Sequence, residues 1–494
     1  MSTLKKFAGQ TAVYGLSTII SRLLNFILTP IYVNLYPPRV YGIFTTMYAW
    51  ASMFNAILAF GMETTFFRYI NKYEDKKKVY STTFFTVLAI ALLFLTATSL
   101  FIEDVARWMH DEGVTSIEDY QTFIRLFIWI LIVDAIAVIP FAKVRADGRP
   151  GRYTFIKAVN ILIFVFLNLF FLYIVPWGIN NGYFNFPWFR QNWVGYVFIS
   201  NLLASIATLV LLLPELLKLT FGFDSRLVKE MLYYSFPVLI ANLSFIINEN
   251  SDKIFIEKLL DGDFGKQEVG IYGAVCKLAV FLSIFVQAFR LGAEPFFFSH
   301  AKNKNSGETY AVIMNYFVIA VSVIFVALVA NIEILKYFIP GSDEQKYLYW
   351  SGLKVVPVLL FGYVSLGIYM NLSIWYKLSD QTRYGLYISA IGAILTIILN
   401  IIFIPKYSYV ASAWISLTAY ASMMILSYLL GQRNYPIPYN LNKNLAYLFT
   451  AIIIVFLSFN TFNRSLIAGN LLLAAFIAGT LFFERKEIKA IFRK

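Results

Sequence analysis

Charge is scarce in this chain. Asp, Glu, Lys and Arg make up 14% of its 494 residues, against roughly 25% in an ordinary soluble domain, and the shortfall excludes a conventional water-soluble globule. Cysteine is almost missing: the single Cys276 sits in an apolar run, so neither a disulfide framework nor a cysteine metal site can be assembled. His110 and His300 are the only histidines, too few and too scattered for a histidine metal site. No G-x-x-x-x-G-K-[ST] loop, HExxH or GxSxG occurs, which removes Walker-type ATP hydrolysis, zinc-protease and serine-hydrolase chemistry. The acids of the DGD sequence at 261–263 have no domain around them and read as a solvated turn. No catalytic residue, metal or cofactor is expected. Large loops are missing too, which leaves a glycosyltransferase or polymerase without the outer domain it needs.

What remains is apolar. Hydrophobic residues make up 59% of the chain, with 48 Phe and 33 Tyr, residue types suited to the bilayer interior and its headgroup belts. A helix needs about 20 apolar residues to cross roughly 30 Å of hydrocarbon. Between residues 11 and 482 about fourteen segments have that length, and none alternates with the period of two that a membrane strand requires. The expected fold is an all-α polytopic membrane protein with about 14 transmembrane helices. Lys5 and Lys6 resemble the start of a signal peptide, but the apolar stretch after them is long, contains Arg22 and lacks a small-residue cleavage site. It is expected to stay as the first span.

The net charge of +13 would point to nucleic acid in a soluble protein. Here the basic residues follow the loops instead. Clusters such as Lys72 with Lys76 to Lys78, Lys143 to Arg152, and Arg485 to Lys494 fall on the side of the N-terminus. The loops of the other side are poorer in Lys and Arg. This is the positive-inside pattern; it places both termini in the cytoplasm and makes nucleic acid an unneeded partner.

The two halves echo one another. VYGIF at 40–44 is matched by VGIYG at 269–273, and GMETTFFRY at 61–69 by LGAEPFFFS at 291–299. The offsets agree within loop variation, which predicts two pseudo-symmetric six-helix lobes at 1–220 and 221–433, followed by two C-terminal helices and a tail at 434–494. Parallel repeats of this kind are related by an axis along the membrane normal and handle substrate between them.

Several polar residues sit inside the spans. Thr18, Arg22, Asn25 and Thr29 are spaced four, three and four, which puts them on one face of the first helix. An arginine at that depth costs about 2.5–3.5 kcal/mol on insertion scales, so it faces protein or water: either a cavity or a structural partner. In the seventh span Ser235, Asn242 and Glu249 recur every seven residues, Pro237 interrupts the pattern, and NENSDK at 248–253 closes it. Asp252 and Lys253 are expected to be outer loop. Lys277 and Arg290 lie along the eighth span, where Arg290 and Glu294 form an i,i+4 pair. Asp134 is the deep carboxylate of the first six spans, a candidate for ion coupling or for a hydrogen bond to a neighbouring helix.

The N-terminal region, with a polar first helix ending in LTPIYVNLYPP, then YGIF, then GMETTFFRY, resembles the start of a Wzx-type polysaccharide flippase, and the span count and lobe echo extend the likeness along the chain. That family belongs with lipid II flippases and drug extruders in the multidrug/oligosaccharidyl-lipid/polysaccharide exporter superfamily, whose members have two six-helix lobes around a central cavity. The resemblance implies translocation of a polyprenyl-pyrophosphate-linked oligosaccharide repeat unit across the inner membrane by alternating access. Substrate partners would be Arg22, Asn25, Thr18, Asn242, Glu249, Lys277 and Arg290, with Asp134 for coupling. Membrane lipids, H+ or Na+, and the polysaccharide polymerase machinery are the other partners implied. The alternatives are a lipid II-type flippase, whose patterned arginines are matched here only by Arg22, and a cation or drug antiporter, which would need a more acidic cavity.

The charge pattern makes a labelling prediction. A cysteine replacing Lys77 is shielded from an impermeant thiol reagent in intact cells, and one replacing Asp111 reacts. The reverse result would invert the topology.

Overall fold

A computed structural model describes residues 26–110, 115–220, 224–300, 305–342, 345–379 and 381–485, and the side chains of residues 291, 292, 294, 295 and 298–300 lie outside that description. Among the described residues, 11 helices are long and apolar enough to cross a membrane, and two shorter apolar helices accompany them. The chain is an all-helical polytopic membrane protein. One of the 11, Arg383–Asn434, has 52 residues. At 1.5 Å per residue it would be about 80 Å long, far more than one crossing. It is two helices that meet at Ser408, whose φ of 51° is non-helical.

By packing, the chain divides into two compact units: residues 1–270 with 404–408, and residues 271–403 with 409–494. The first unit holds α1 (Phe26–Leu35), α2 (Pro38–Ala59), α3 (Met62–Lys72), α4 (Lys76–Leu100), α5 (Ile117–Ala146), α6 (Pro150–Leu169), α7 (Gly195–Leu211) and α8 (Ser225–Leu259). The start of α9 (Gly262–His300) completes it. The second unit holds the rest of α9, α10 (Ser306–Ala330), α11 (Val356–Leu372), the two arms of α12 (Arg383–Asn434), α13 (Leu441–Phe456) and α14 (Leu466–Phe483). This boundary at Gly270 is one of contact and places α8 with the first unit. The boundary near residue 220 read from the echoing motifs concerns sequence and is a separate division.

Local signals explain the helix ends. Pro38 and Pro150 occupy first-turn positions, where a missing N–H is harmless. Asp75, Ser116 and Asp224 cap α4, α5 and α8 through their side chains. The Lys78 ammonium, 2.6 Å away, and the capped backbone N–H groups hold the Asp224 carboxyl below its usual range. Between α2 and α3, Phe60 and Gly61 adopt left-handed φ values of 47° and 67°, so the second span is broken rather than continuous. Gly61 is needed twice over. A Cβ there would also come 2.9 Å from the Ser235 carbonyl oxygen of α8.

The core of the first unit is aromatic. Phe127 packs edge-on to Phe198 at 4.7 Å and to Tyr48 at 5.3 Å, and Phe44 lies 4.7 Å from Tyr48. Such pairs add about 0.5–1.5 kcal/mol beyond burial. In the second unit Phe297, Tyr310, Ile374 and Ile437 form a buried cluster. Paired polar residues hold its outlying helices: Asn331 and Asn470 exchange two hydrogen bonds of 3.2 and 3.0 Å, and Glu484 accepts from Lys443 at 2.6 Å and Tyr447 at 2.8 Å.

A tight backbone approach in the first unit joins the two echoing motifs. A Cβ on Gly42 would lie 2.1 Å from the Lys266 carbonyl oxygen, and one on Gly270 would lie 1.8 Å from that of Pro38. No side chain fits there, so Gly42→Ala and Gly270→Ala force α2 and α9 apart. Overpacking costs about 1–3 kcal/mol, and both variants are expected to melt several degrees lower in detergent. Gly479→Ala on α14, where a Cβ meets open space, is expected to leave the melting temperature unchanged. Equal melting of all three would refute the contact.

Candidate functional site

Several polar side chains inside the first unit are paired across helices. The Tyr32 hydroxyl of α1 donates to Asn168 Oδ1 of α6 at 2.9 Å. Asn201 Nδ2 of α7 donates to the Tyr48 hydroxyl of α2 at 3.0 Å, and Asn160 Nδ2 of α6 donates to Thr208 Oγ1 of α7 at 2.9 Å. Asp134 of α5 is hydrogen-bonded to Ser205 of α7, with the Lys157 ammonium of α6 as its opposing charge. Lys157 lies over the Phe141 ring at 4.7 Å and is coupled electrostatically to Glu63 and Arg145 as well. Glu63 and Arg145 are themselves an ion pair. A polar group left unpaired in hydrocarbon costs several kcal/mol, and the seam avoids that by matching each group to a neighbour. Within it the Asp134 carboxyl faces the Lys157 ammonium.

Past the end of α5 the charges become a node. Glu215 is fully buried and receives Arg149 and Arg152, each at 2.8 Å, with Lys218 at 3.6 Å. The Tyr80 hydroxyl donates to its backbone carbonyl at 3.0 Å. The sequence alone gives no sign of this node, because the arginines read as topological loop charges and no local pattern ties Glu215 to them. Lys157 was hidden in the same way. Its signal is Pro150: a helix that starts there puts Lys157 two turns inside it.

The structure describes only part of the sequence-predicted set. Thr18, Arg22 and Asn25 lie outside the described residues; their neighbour Thr29 is buried in α1. On α8, Ser235 is buried, Glu249 half-buried and Asn242 exposed, so the seven-residue spacing does not give them one environment. A straight helix drifts about 20° per heptad, and α8 is covered at Ser235 by the break at Gly61. The expected outer loop at Asp252 and Lys253 is a correction. Helix α8 runs on to Leu259, Asp252 is 3% exposed, and the Lys253 ammonium bonds Asp252 at 2.8 Å and the Glu249 carbonyl at 2.9 Å. Pairing is what lets these charges stay helical and buried.

Lys277 and Arg290 share α9 in the second unit, Lys277 half-buried. Thirteen residues of helix separate them by about 20 Å, so they cannot grip one phosphate together. Arg290 lines a small cleft with Phe289, Met370, Asn371, Ser373 and Lys377. Its Nε and the Asn371 Nδ2 are buried without an acceptor among the described residues. The Glu294 side chain, expected as its partner, lies outside the description.

Residues 7–299 match the family described as polysaccharide biosynthesis protein, and residues 237–402 match the MatE family. No curated protein matches the chain. Among solved structures, the chain is similar to the lipid II flippase MurJ in an inward closed conformation, with a TM-score of 0.72 and 13% identity over 96% of this chain and 99% of that one. An inward-facing multidrug resistance MATE transporter of the MOP superfamily gives 0.66 and 13% over 89% and 99%. The MATE multidrug transporter DinF-BH gives 0.64 and 14% over 88% and 97%. At such identities these structures establish the fold, and the family match over more than half of the sequence establishes the rest: the chain belongs to the polysaccharide biosynthesis protein family and has the fold of the MOP transporters.

Proposed function

We propose that this membrane transporter flips a polyprenyl-pyrophosphate-linked oligosaccharide repeat unit from the cytoplasmic to the outer leaflet of a bacterial inner membrane by alternating access. The family match over residues 7–299 carries the reading. The paired polar seam inside an otherwise apolar fold supports it. An unpartnered hydroxyl entering hydrocarbon costs roughly 4–8 kcal/mol, so a headgroup with about ten hydroxyls faces tens of kcal/mol. Uncatalysed crossing is negligible. The headgroup needs a hydrated, polar-lined route, and the lipid tail can stay in the bilayer.

In this reading Arg22, with Thr18 and Asn25, grips the pyrophosphate, because a guanidinium offers two parallel hydrogen bonds where an ammonium is a point charge. Lys277 and Arg290 act successively along α9, and Asn242 and Glu249 meet sugar hydroxyls. Buried Nε of Arg290 and the neighbouring Lys377 suit an anion. The lobes at 1–220 and 221–433 alternate access, with 434–494 as an addition to them. Lipid II is the competing substrate, favoured by the MurJ-like fold. Proteoliposomes offered a lipid-linked oligosaccharide and lipid II side by side decide between them; movement of lipid II alone would end the oligosaccharide reading.

Two substitutions test the roles. Arg22→Ala is expected to abolish flipping and Arg22→Lys to impair it, both with normal insertion and melting temperature. If Ala lowers flipping and stability together and Lys restores both, Arg22 is a structural anchor.

No ATP site is present in the sequence, so a gradient must supply any uphill drive, and we assign coupling to Asp134. Asp134→Asn keeps the shape and the Ser205 neighbour but removes the titratable proton. Flipping by this variant is expected to lose its response to an imposed pH gradient while passive exchange continues. A full response would show that the proton is carried elsewhere.

A further inference from the structure

The first unit carries a second polar site, apart from the seam. Its cavity of about 200 Å3 is lined by Val40 and Ile43 of α2, Thr115, Asp119 and Phe123 at the start of α5, and the turn Arg190–Val194 that leads into α7. By the charge pattern of the loops, this end of the helices is the non-cytoplasmic one. That is room for several waters, on the scale of a single sugar ring.

Asp119 organises the cavity and is itself used up. Arg190 grips it with two bonds of 2.6 and 2.7 Å, Trp193 Nε1 donates at 2.9 Å and the Thr115 hydroxyl at 3.2 Å. A carboxylate has about four lone-pair sites, and all are taken. The guanidinium also lies over the Trp193 ring at 5.2 Å, and the Arg190 N–H donates to the Tyr196 hydroxyl at 2.9 Å. The turn is thus fixed in place before any ligand arrives. Asn192 adopts φ 54°, a left-handed conformation that asparagine tolerates. The exposed Gln191 and Asn192 side-chain amides engage no partner among the described residues.

The chemistry of this wall narrows the ligand. Asp119 cancels the charge of Arg190, so a phosphate gains little there. The acceptors of Asp119 are occupied, so a cation has no ligand atom to use. A purely apolar ligand would strand two amides and the remaining guanidinium N–H groups. What fits is an uncharged polyhydroxyl ring, with a C–H face for the Trp193 indole and hydroxyls for Gln191, Asn192 and the free edge of Arg190. A few fixed polar groups on an aromatic-lined wall are the usual makeup of a small-molecule site.

We propose that this cavity is a saccharide subsite on the non-cytoplasmic face, which receives one sugar ring of the glycan headgroup after it crosses. The assignment rests on the flippase reading above for the source of its ligand, and its binding chemistry can be tested separately. The probes are methyl glycosides of glucose, galactose, N-acetylglucosamine and glucuronic acid, offered to the purified full-length protein and followed by saturation-transfer NMR, with inorganic pyrophosphate added as a competitor. At least one neutral glycoside is expected to bind. The double variant Gln191→Ala with Asn192→Gly keeps the Asp119–Arg190–Trp193 clamp and the left-handed turn, and is expected to weaken that binding about tenfold through loss of two amide hydrogen bonds. Flipping of the lipid-linked oligosaccharide is measured on the same preparations. Absence of glycoside binding, binding that the double variant retains, or preference for inorganic pyrophosphate each overturns the subsite, whatever the flipping assay gives. Loss of flipping by the unaltered protein, with glycoside binding intact, counts against the transport reading and leaves the subsite standing.

Discussion

Inside a bilayer a peptide N–H or C=O without a partner costs several kcal/mol, and no water is there to supply one. The rest of this structure follows from that constraint. Each crossing must be a helix that closes its own hydrogen bonds, and every departure from helix needs its own remedy. The break at Phe60–Gly61 is covered by α8, with the Ser235 carbonyl lying close against Gly61. At Ser408, where α12 turns back, the side chain hydrogen-bonds Glu268. The same rule governs side chains: Asn168, Asn201, Asn160 and Asp134 each find a partner on a neighbouring helix. A polar seam is the form that transport-competent chemistry can take in such a medium without melting the helices around it.

Charge is handled more strictly still. Removing one partner from a buried ion pair costs about 3–5 kcal/mol, because the other is left uncompensated. Glu215 and Asp119 are both held by arginine, the first by two guanidinium groups and the second by a bidentate grip. Each acid also gathers a neighbour that would otherwise be free to move: Lys218 at one and Trp193 at the other. These clamps sit near helix ends of the first unit and fix the loops there. The middle of the unit then carries the softer neutral pairs together with the Asp134–Lys157 pairing.

The fold was legible because span length and the charge deficit are one-dimensional quantities, and the bilayer enforces both. Pairing is not one-dimensional. Arg149 and Arg152 read only as loop charges, and their partner Glu215 lies more than sixty residues away, where nothing local announces it. Asp252 and Lys253 looked like loop for the same reason: a helix end rich in charge reads as solvated until its burial is known. The spacing of Ser235, Asn242 and Glu249 was a true helical period, yet burial along α8 is set by what lies against it, here the break after α2. Arg290 was legible as one half of a charged pair with Glu294 near the cytoplasmic end of its helix. The cleft that joins it to Lys377 and Asn371 depends on α11 and the short helix after it, some eighty residues further on.

The echo between VYGIF and VGIYG gains a physical reason from the contact at Gly42 and Gly270. Each motif offers a glycine to the other helix, and a Cβ on either would enter a backbone carbonyl of its neighbour. A close crossing of two helices in a membrane requires small residues on both, since lipid gives no hydrophobic drive and dispersion between backbones must hold them. The likeness of the two motifs is therefore what the contact itself demands of both sides. Duplication can supply such a pair at one stroke, but the steric demand maintains it whatever its origin.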